Sequence, residues 1–434
     1  MKIKKVRRLP VVYFIAAILC IGFNKIGPGV YDAEKRLVVT DTSNPVSSFL
    51  VISDVHLNRY EKQALSDGDT GYDLWDSAKI EINKLLDSNN DSKPKFVLVL
   101  GDLPFHVKDD LSDMDSVRNS FDTVYENLNA IAKAAGVPLI IVPGNNDSYD
   151  GDYHQLNPDH YTNLFYPDSI ASFADNSLAG IGVYSIYPLG KDKKLRLIVL
   201  NTVMFSFPKA NKNFFYGTNR QLHTDLQMSW LRTQLQQVAD SHETALIAMH
   251  IPPGNDGYTT DSTRKIYLWD NKLQFEGRPV QNAFLDIIDS FKIHVTGLLS
   301  SHSHMDGIRL LMNNDSVSSL LISVPSITPG HKNNPSFKLV NFNAAKNYEL
   351  EDFTTWYMQY WKNDKKVTNF SNHFSFINEF HCEPNTSMLS NMKAILEKNK
   401  NELNKDIDSI YTVKNGPPAA THNNAGVTIY VKKQ

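Results

Sequence analysis

Two cysteines are all that the 434 residues contain, Cys20 and Cys382. One lies in an apolar N-terminal stretch and the other stands alone near the C-terminus, so an intrachain disulfide framework is not what holds this chain together. An excess of one charge is also missing. Lys and Arg number 44 against 47 Asp and Glu, and a net charge of −3 gives no electrostatic footprint for a nucleic-acid duplex. Gly and Pro, 21 and 20, are ordinary for this length, which excludes collagen-like and broadly disordered readings. No internal repeat is visible. Stability must come from an apolar core, and 41% hydrophobic residues suffice for one large domain or two modest ones.

The N-terminal apolar run, "LPVVYFIAAILCIGF" from Leu9 to Phe23, has 15 residues, short of the ~20 that a bilayer-spanning helix needs. Behind the basic "MKIKKVRR" it reads as the core of a signal peptide. Residues 1–30 are therefore expected to direct export to the periplasm or the medium. An uncleaved membrane anchor is the alternative, because no A-x-A site follows and bulky Leu19 makes Cys20 a poor lipoprotein site.

The middle of the chain alternates short apolar runs with helical stripes. "SSFLVISDVH", "KFVLVLGD", "VPLIIVPGNND", "TALIAMHIPPG" and "HVTGLLSSHSH" read as buried strands. Between them, Leu74, Ala78, Ile82 and Leu85 form one helical stripe, and Val117, Phe121, Val124, Leu128 and Ile131 another. Leu231, Leu235 and Val238 mark a third helix. "GVYSIYPL" and "LRLIVLNTVMF" look like paired strands, and "SSLLISVPSI" and "SFKLVNFN" like further ones. "LEDFTTWYMQYW" is expected to pack on the core and "SMLSNMKAILEK" to be helical, while the last thirty residues are polar and suggest no structure.

The five buried runs share one property: each ends in a residue that can hold a metal. In chain order these are Asp54 and His56, Asp102, Asn145, His250, and His302 with His304. Loops at strand ends carry binding and catalytic groups in α/β proteins. One such ending would be noise. Five in order are hard to explain as packing, because charged and amide groups there would cost free energy without partners. A pair of divalent ions supplies the partners. In extended chain His302 and His304 point in opposite directions, so they suit two neighbouring ions better than one.

These fragments, "DVH", "GD", "GNND", "MH" and "SHSH", resemble the ordered signature of the calcineurin-like metallophosphoesterases. "SDVHLNRY", "GDLPFH", "HIPPG", "PSITPGHKNNPSFKL" and "YELEDFTTWY" are similar to the acid sphingomyelinase family, which includes sphingomyelinase-like phosphodiesterases, over Ser48 to Phe380. The resemblance implies an α/β (α+β sandwich) class: a four-layer metallophosphoesterase fold with two central mixed β-sheets flanked by helices and a small C-terminal helical subdomain. The expected divisions are 1–30 for the signal peptide or anchor, 46–345 for the metallophosphoesterase domain, 346–400 for a C-terminal subdomain packed on the core, and 401–434 for a polar tail. It also implies that Asp54, His56 and His304 hold one ion, that Asn145, His250 and His302 hold the other, and that Asp102 bridges them. Nitrogen-rich ligation suits zinc, with manganese or iron as alternatives. The implied reaction is hydrolysis of a phosphodiester or phosphoanhydride by metal-bound hydroxide.

The chain departs from the pattern it resembles in two places. Asn146 stands where relatives carry the histidine of "GNH", and a carboxamide cannot deliver a proton at pH 7. His106, in "GDLPFH", matches a second family histidine and is the expected general acid; a solvated loop histidine is its bland alternative. His106 and Asn146 are thus the catalytic candidates. Asn58 stands where relatives carry aspartate. His331 is the best further histidine for lining the cleft, and Tyr60 is either a motif residue or a packing one. Within these residues there is no cysteine-rich saposin-like domain, of the kind that helps acid sphingomyelinase extract lipid. A small soluble diester or nucleotide is therefore favoured over a phospholipid head group, with membrane contact only through the N-terminal segment. A sphingomyelin phosphodiesterase proper and a catalytically weakened phosphoester-binding protein are the alternatives. A protein phosphatase fits the signature but not "HIPPG" or "NPSFKL".

Overall fold

The computed structural model describes residues 46–62, 68–87, 93–106, 114–156, 172–206, 219–256, 267–314, 316–398, 400–415 and 430–433. The expected signal peptide or anchor lies outside the described residues. No described helix is long and apolar enough to cross a membrane.

The first strands are β1 (Val46–Ile52), β2 (Val97–Val99), β3 (Leu139–Ile141), β4 (Ser172–Leu178), β5 (Val183–Tyr187), β6 (Leu195–Leu200) and β7 (Thr244–Met249). A short hairpin follows, β8 (Gln274–Phe275) and β9 (Arg278–Pro279). Next come β10 (Val295–Ser300), β11 (Gly307–Asn313), β12 (Ser316–Ser323), β13 (Ser336–Asn343), β14 (Glu349–Tyr357), β15 (Asn372–Ser375) and β16 (Tyr430–Val431). They build two large mixed sheets, in the orders β15-β14-β13-β1-β2-β3 and β16-β11-β12-β10-β7-β6-β5-β4. The main helices are α1 (Tyr72–Leu86), α2 (Met114–Ala135), α3 (Arg220–Asp240) and α4 (Val280–Ser290), followed by α5 (Phe376–Glu379), α6 (Met388–Lys398) and α7 (Lys400–Tyr411).

Period-two alternation explains the layers. On β7, Leu246 and Ala248 join the core between the sheets, while Ala245, Ile247 and Met249 join a second core under α3 and α4. The α1 and α2 stripes, including Trp75, Ile82, Phe121 and Leu128, pack with β1–β3. Helix, sheet, sheet, helix is the expected four-layer α/β sandwich. Strands with both faces covered read as unbroken apolar runs, which is why the five buried runs are visible in sequence.

Register brings the strand ends together. Val51 lies beside Leu98 and Leu98 beside Ile140 in parallel pairing, so Asp54, Asp102 and Asn145 leave the first sheet on one edge. In the second sheet Leu298 lies beside Ile247, which brings His250 and the segment after Ser300 to that sheet's matching edge.

The structure differs from the sequence reading at β4 and beyond β10. Neither β4 nor β11 is expected from the sequence. β14 and β15, from the stretch assigned to a C-terminal subdomain, pair directly into the first sheet. The tail expected to lack structure contains most of α7, and β16 adds an edge to β11. Leu403, Ile407 and Ile410, at helical spacing, are buried in the main core together with Val413. The apolar stripe is real, but polar neighbours dilute it. Truncating a buried aliphatic side chain to alanine costs about 2–5 kcal/mol. Ile410→Ala is expected to lower the unfolding free energy by about that amount, measured by urea titration. A loss below about 0.5 kcal/mol, typical of surface substitutions, would show that α7 only rests on the surface.

Candidate functional site

The seven donors do converge, and the backbone beneath them is unusual. Asp54, His56, Asp102, His302 and His304 all adopt left-handed backbone, with φ of 44, 45, 57, 70 and 62°. Such residues cost on the order of 1–3 kcal/mol each and persist only where the surroundings over-determine them. Those surroundings are visible. Asp54 N donates to Gly101 O and His56 N to Asp102 O, each at 3.1 Å. Gly101 and Gly144 make the close approach between the β2 and β3 loops. A Cβ on Gly144 would lie 2.2 Å from Asp102 Oδ1, and one on Gly101, which is itself left-handed at φ 91°, would lie 2.4 Å from Gly144 N.

Two donor sets share Asp102. Its Oδ2 lies 3.5 Å from His56 Nε2 and 3.3 Å from His250 Nε2. Around His56, Asp54 Oδ1 stands 3.9 Å from His56 Nε2 and 3.6 Å from His304 Nε2. Around His250, Asn145 Oδ1 lies 3.0 Å from His250 Nε2. Ligand atoms of His302, His250 and Asp102 fall within 4.8 Å of one another. His302 and His304 thus stand in different sets, and both sit in left-handed backbone, not in an extended strand.

Whether the donors fit an ion can be judged from their own atoms. Asp54 Oδ1 and His56 Nε2 are buried without a hydrogen-bond partner. Orphaned acceptors of this kind are rare in protein interiors, and a cation satisfies them. The far ring nitrogens are aimed by the protein: His56 Nδ1 by Pro104 O at 3.2 Å, and His250 Nδ1 by Leu100 O at 2.6 Å. Histidine ligands commonly have their second nitrogen held in this way.

Electrostatics sort the donors by their surroundings. Burial, reinforced by neighbouring histidines, holds His56 and His304 well below the usual imidazole range and so favours the neutral ring, the form in which an imidazole can ligate. Burial also opposes charge on His250, but Asp102 beside it wins and pushes it up to about 9. Asp102 feels the converse: burial raises it, yet His250, His56 and the Asn146 N–H hold it well below the usual carboxylate range. Burial drives Asp54 up to about 7 despite His250.

The catalytic candidates lie on different sides of this cluster. His106 is half-exposed, stacks on His56 with ring centroids 4.0 Å apart, and pairs through Nδ1 with Asp69 Oδ1 at 2.6 Å. It lines a cleft of about 290 Å³ together with Asp69, His304, Thr328, His331 and Lys332. His331 is therefore where the sequence reading put it. Asn146 is buried, and its amide faces inward: its N and Nδ2 donate to Asp102 Oδ1 and Oδ2 at 2.8 and 2.9 Å. Tyr60 is 58% exposed and does not pack in the core. Asn58 Oδ1 accepts from Tyr60 N and so shapes the turn after His56. Sequence reasoning missed Asp69, which nothing in the pattern marks. It also missed Asp147, visible in retrospect as the aspartate ending "GNND". Buried Asp147 accepts from the N–H groups of Asp102, Leu103 and Gly144.

These shifts have a sign that metal-free protein can test. His250 keeps its proton to about pH 9 when folded against 6.5 ordinarily, and Asp54 to about 7 against 3.8. A raised folded pKa contributes stability below the unfolded value and loses it as pH rises through the folded value. His56 and His304, depressed when folded, act only at lower pH. Chelator-treated protein is thus expected to melt progressively lower from about pH 6.5 to 8. Saturating divalent ion should reverse the slope, because ligands shed protons on binding. A flat or rising melting temperature in chelator would contradict this electrostatic account.

Known proteins resemble this chain along much of its length. The calcineurin-like phosphoesterase family model matches residues 47–306. Sphingomyelin phosphodiesterase 1 of Caenorhabditis elegans is 27% identical over 189 residues, which are 42% of this chain and 29% of that protein. Sphingomyelin phosphodiesterase 2 of the same organism is 22% identical over 313 residues, 67% of this chain and 44% of that protein. The chain thus spans less than half the length of these curated relatives. A crystal structure of a dimetal phosphatase from Danio rerio, 16% identical, covers 76% of this chain and 99% of its own with a TM-score of 0.43. On the family match, which takes in all seven donors, the chain belongs to the calcineurin-like phosphoesterase family of phosphoric ester hydrolases.

Proposed function

We propose that this chain is an exported phosphodiesterase that holds two divalent ions, zinc foremost, and hydrolyses a small soluble phosphodiester or nucleotide. The observation that carries the reading is Asp102 Oδ2 standing between His56 Nε2 and His250 Nε2. Asp54, His56 and His304 would hold one ion and Asn145, His250 and His302 the other, with Asp102 shared. The nitrogen-rich donor set favours zinc over magnesium or calcium. The diester class is taken from the two nematode relatives, whose names specify a phosphodiesterase. The cleft's described lining includes the titratable side chains of Asp69, His106, His304, His331 and Lys332, which suit a charged phosphoryl group. The signal-like stretch Leu9–Phe23 supports export.

When bound, such ions supply positive charge to phosphoryl oxygens and an activated water near neutral pH. The chain's own residues do the rest. Pro104 O and Leu100 O orient the ligand imidazoles, and Asn146 orients the shared carboxylate. His106 is held through Nδ1 by Asp69, which leaves Nε2 to protonate the departing alkoxide. Burial opposes its proton, but Asp69 raises its pKa.

Protein purified without chelator is expected to contain about two divalent ions per chain, with Asp102→Asn losing most. Elemental analysis well below one ion would remove the two-metal reading. Turnover is expected for an aryl diester and for a nucleotide ahead of sphingomyelin. Sphingomyelin fastest would favour a sphingomyelin phosphodiesterase, and bound metal with no turnover would favour a phosphoester-binding protein.

Loss of a positioned general acid costs about 10²–10⁴-fold. His106→Ala is expected to slow an alkyl diester on that scale and a nitrophenyl diester far less, since nitrophenolate leaves without a proton. Equal losses on both substrates would assign His106 to phosphate binding or to the metal site.

A further inference from the structure

The turn that carries His302 and His304 is tied to the opposite sheet by a buried charge. Asp306, two residues past His304, is fully buried, as are Lys338 on β13 and Thr355 on β14. Lys338 Nζ donates to both carboxylate oxygens of Asp306, at 2.7 and 2.8 Å. It donates also to Thr355 Oγ1 at 2.7 Å, and Thr355 Oγ1 donates to Asp306 Oδ2 at 2.7 Å, which closes a triangle. Lys338 and Thr355 face each other in the β13–β14 register. The Phe353 ring, centroid 3.4 Å from the ammonium, covers it from the side. The first sheet therefore provides the cation and the hydroxyl, and the second sheet's turn provides the anion.

A buried ion pair is a poor way to stabilise a core. Desolvating both charges offsets most of their attraction, and apolar groups of the same volume often do as well or better. What such a pair adds is geometry, because all three groups are satisfied only in one arrangement. The turn needs that. His302 and His304 sit in left-handed backbone, and no glycine relieves them. Backbone ties help: Ser301 N donates to His250 O, Ser326 N to His304 O, and Asp306 N to Tyr411 O. The triangle adds a link to the sheet that carries the other ligands.

We infer that Asp306, Lys338 and Thr355 are positioning residues for the metal centre. They lock the turn bearing His302 and His304 against the sheet bearing Asp54, His56 and Asp102, so that both halves of the ligand set are in register before an ion arrives. This rests on the metal-centre reading of those ligands. None of the three is itself a ligand or touches the cleft.

The test uses the full chain with Asp306→Leu and Lys338→Met together, which removes both charges without orphaning one. Hydrogen exchange of the 301–306 amides is measured on metal-free protein, alongside melting temperature and zinc affinity by chelator competition. The expected result is a melting temperature close to wild type, exchange about tenfold faster in that segment alone, and zinc affinity lower by about 10–100-fold. A folded double variant with wild-type exchange and wild-type zinc affinity overturns the inference. If the double variant does not fold, Thr355→Val is used, which keeps the ion pair and removes one corner. It is expected to quicken exchange of the segment about fivefold, and unchanged exchange overturns the inference. Because exchange is read without metal, it judges the clamp independently. Failure of the wild-type protein to bind zinc would count against the metal-centre reading alone.

Discussion

A buried carboxylate with charge on it organises this molecule. Asp102 sits at the end of β2 where water cannot reach it, and an isolated charge there would be prohibitive. Four kinds of partner make it tolerable. The His250 ring approaches one oxygen, His56 stands beyond it, and the Asn146 N–H and carboxamide hold the two oxygens from the β3 loop. Asp147 then binds the N–H of Asp102 itself, along with those of Leu103 and Gly144. The β2 and β3 loops are thereby fused around one carboxylate, and the Gly101–Gly144 contact is the close approach that this fusion requires.

The same constraint reaches across the sandwich. Asp54, His56, Asp102 and Asn145 come from the first sheet, whereas His250, His302 and His304 come from the second. Neither sheet alone presents a site. The two halves meet only because the inter-sheet core, with Val51, Leu98 and Val340 on one side and Leu246, Ala248 and Leu299 on the other, sets their spacing. Polar links then refine what apolar packing places approximately. Leu100 O, from the first sheet, accepts from His250 Nδ1 and Ser301 Oγ of the second. Hydrophobic contact is non-directional, so the angular precision of a ligand set must come from hydrogen bonds of this kind. The left-handed residues record the balance: their strain is tolerated because tertiary contacts on both sides forbid relaxation.

The sequence displayed the elements that obey local rules. Strands covered on both faces produce unbroken apolar runs, and a polar residue closing such a run stands out, so all seven donors were legible. The α1, α2 and α3 stripes were legible for the same reason. What escaped depends on distant partners. β16 is two residues long and exists because β11 offers it an edge. α7 has apolar positions at helical spacing, yet its polar composition suggested a free tail. Asp69 gains its significance from His106, far along the chain, and no spacing rule connects them. The direction of the Asn146 side chain was likewise beyond the sequence. A substitution in a motif shows that a group is missing, but not what the replacement does instead.

Asn146 shows what that replacement entails. Its N and Nδ2 grip both oxygens of Asp102, a bidentate hold that a carboxamide can make because its donor lies on a short, planar side chain. In the proposed enzyme this residue no longer supplies a proton to the leaving group, and it acts on the shared carboxylate instead. Proton delivery then falls to a group that meets the cleft without competing for Asp102. His106 meets that condition. Its ring is half-exposed, it stacks on a ligand imidazole, and its far nitrogen is engaged by Asp69. The pairing raises the pKa of His106, although burial would otherwise favour the neutral ring. In the proposed enzyme, environment would divide the labour among side chains of one chemical type: burial disfavours the proton on His56 and His304, which would serve as ligands, and Asp69 favours it on His106, which would serve as the acid.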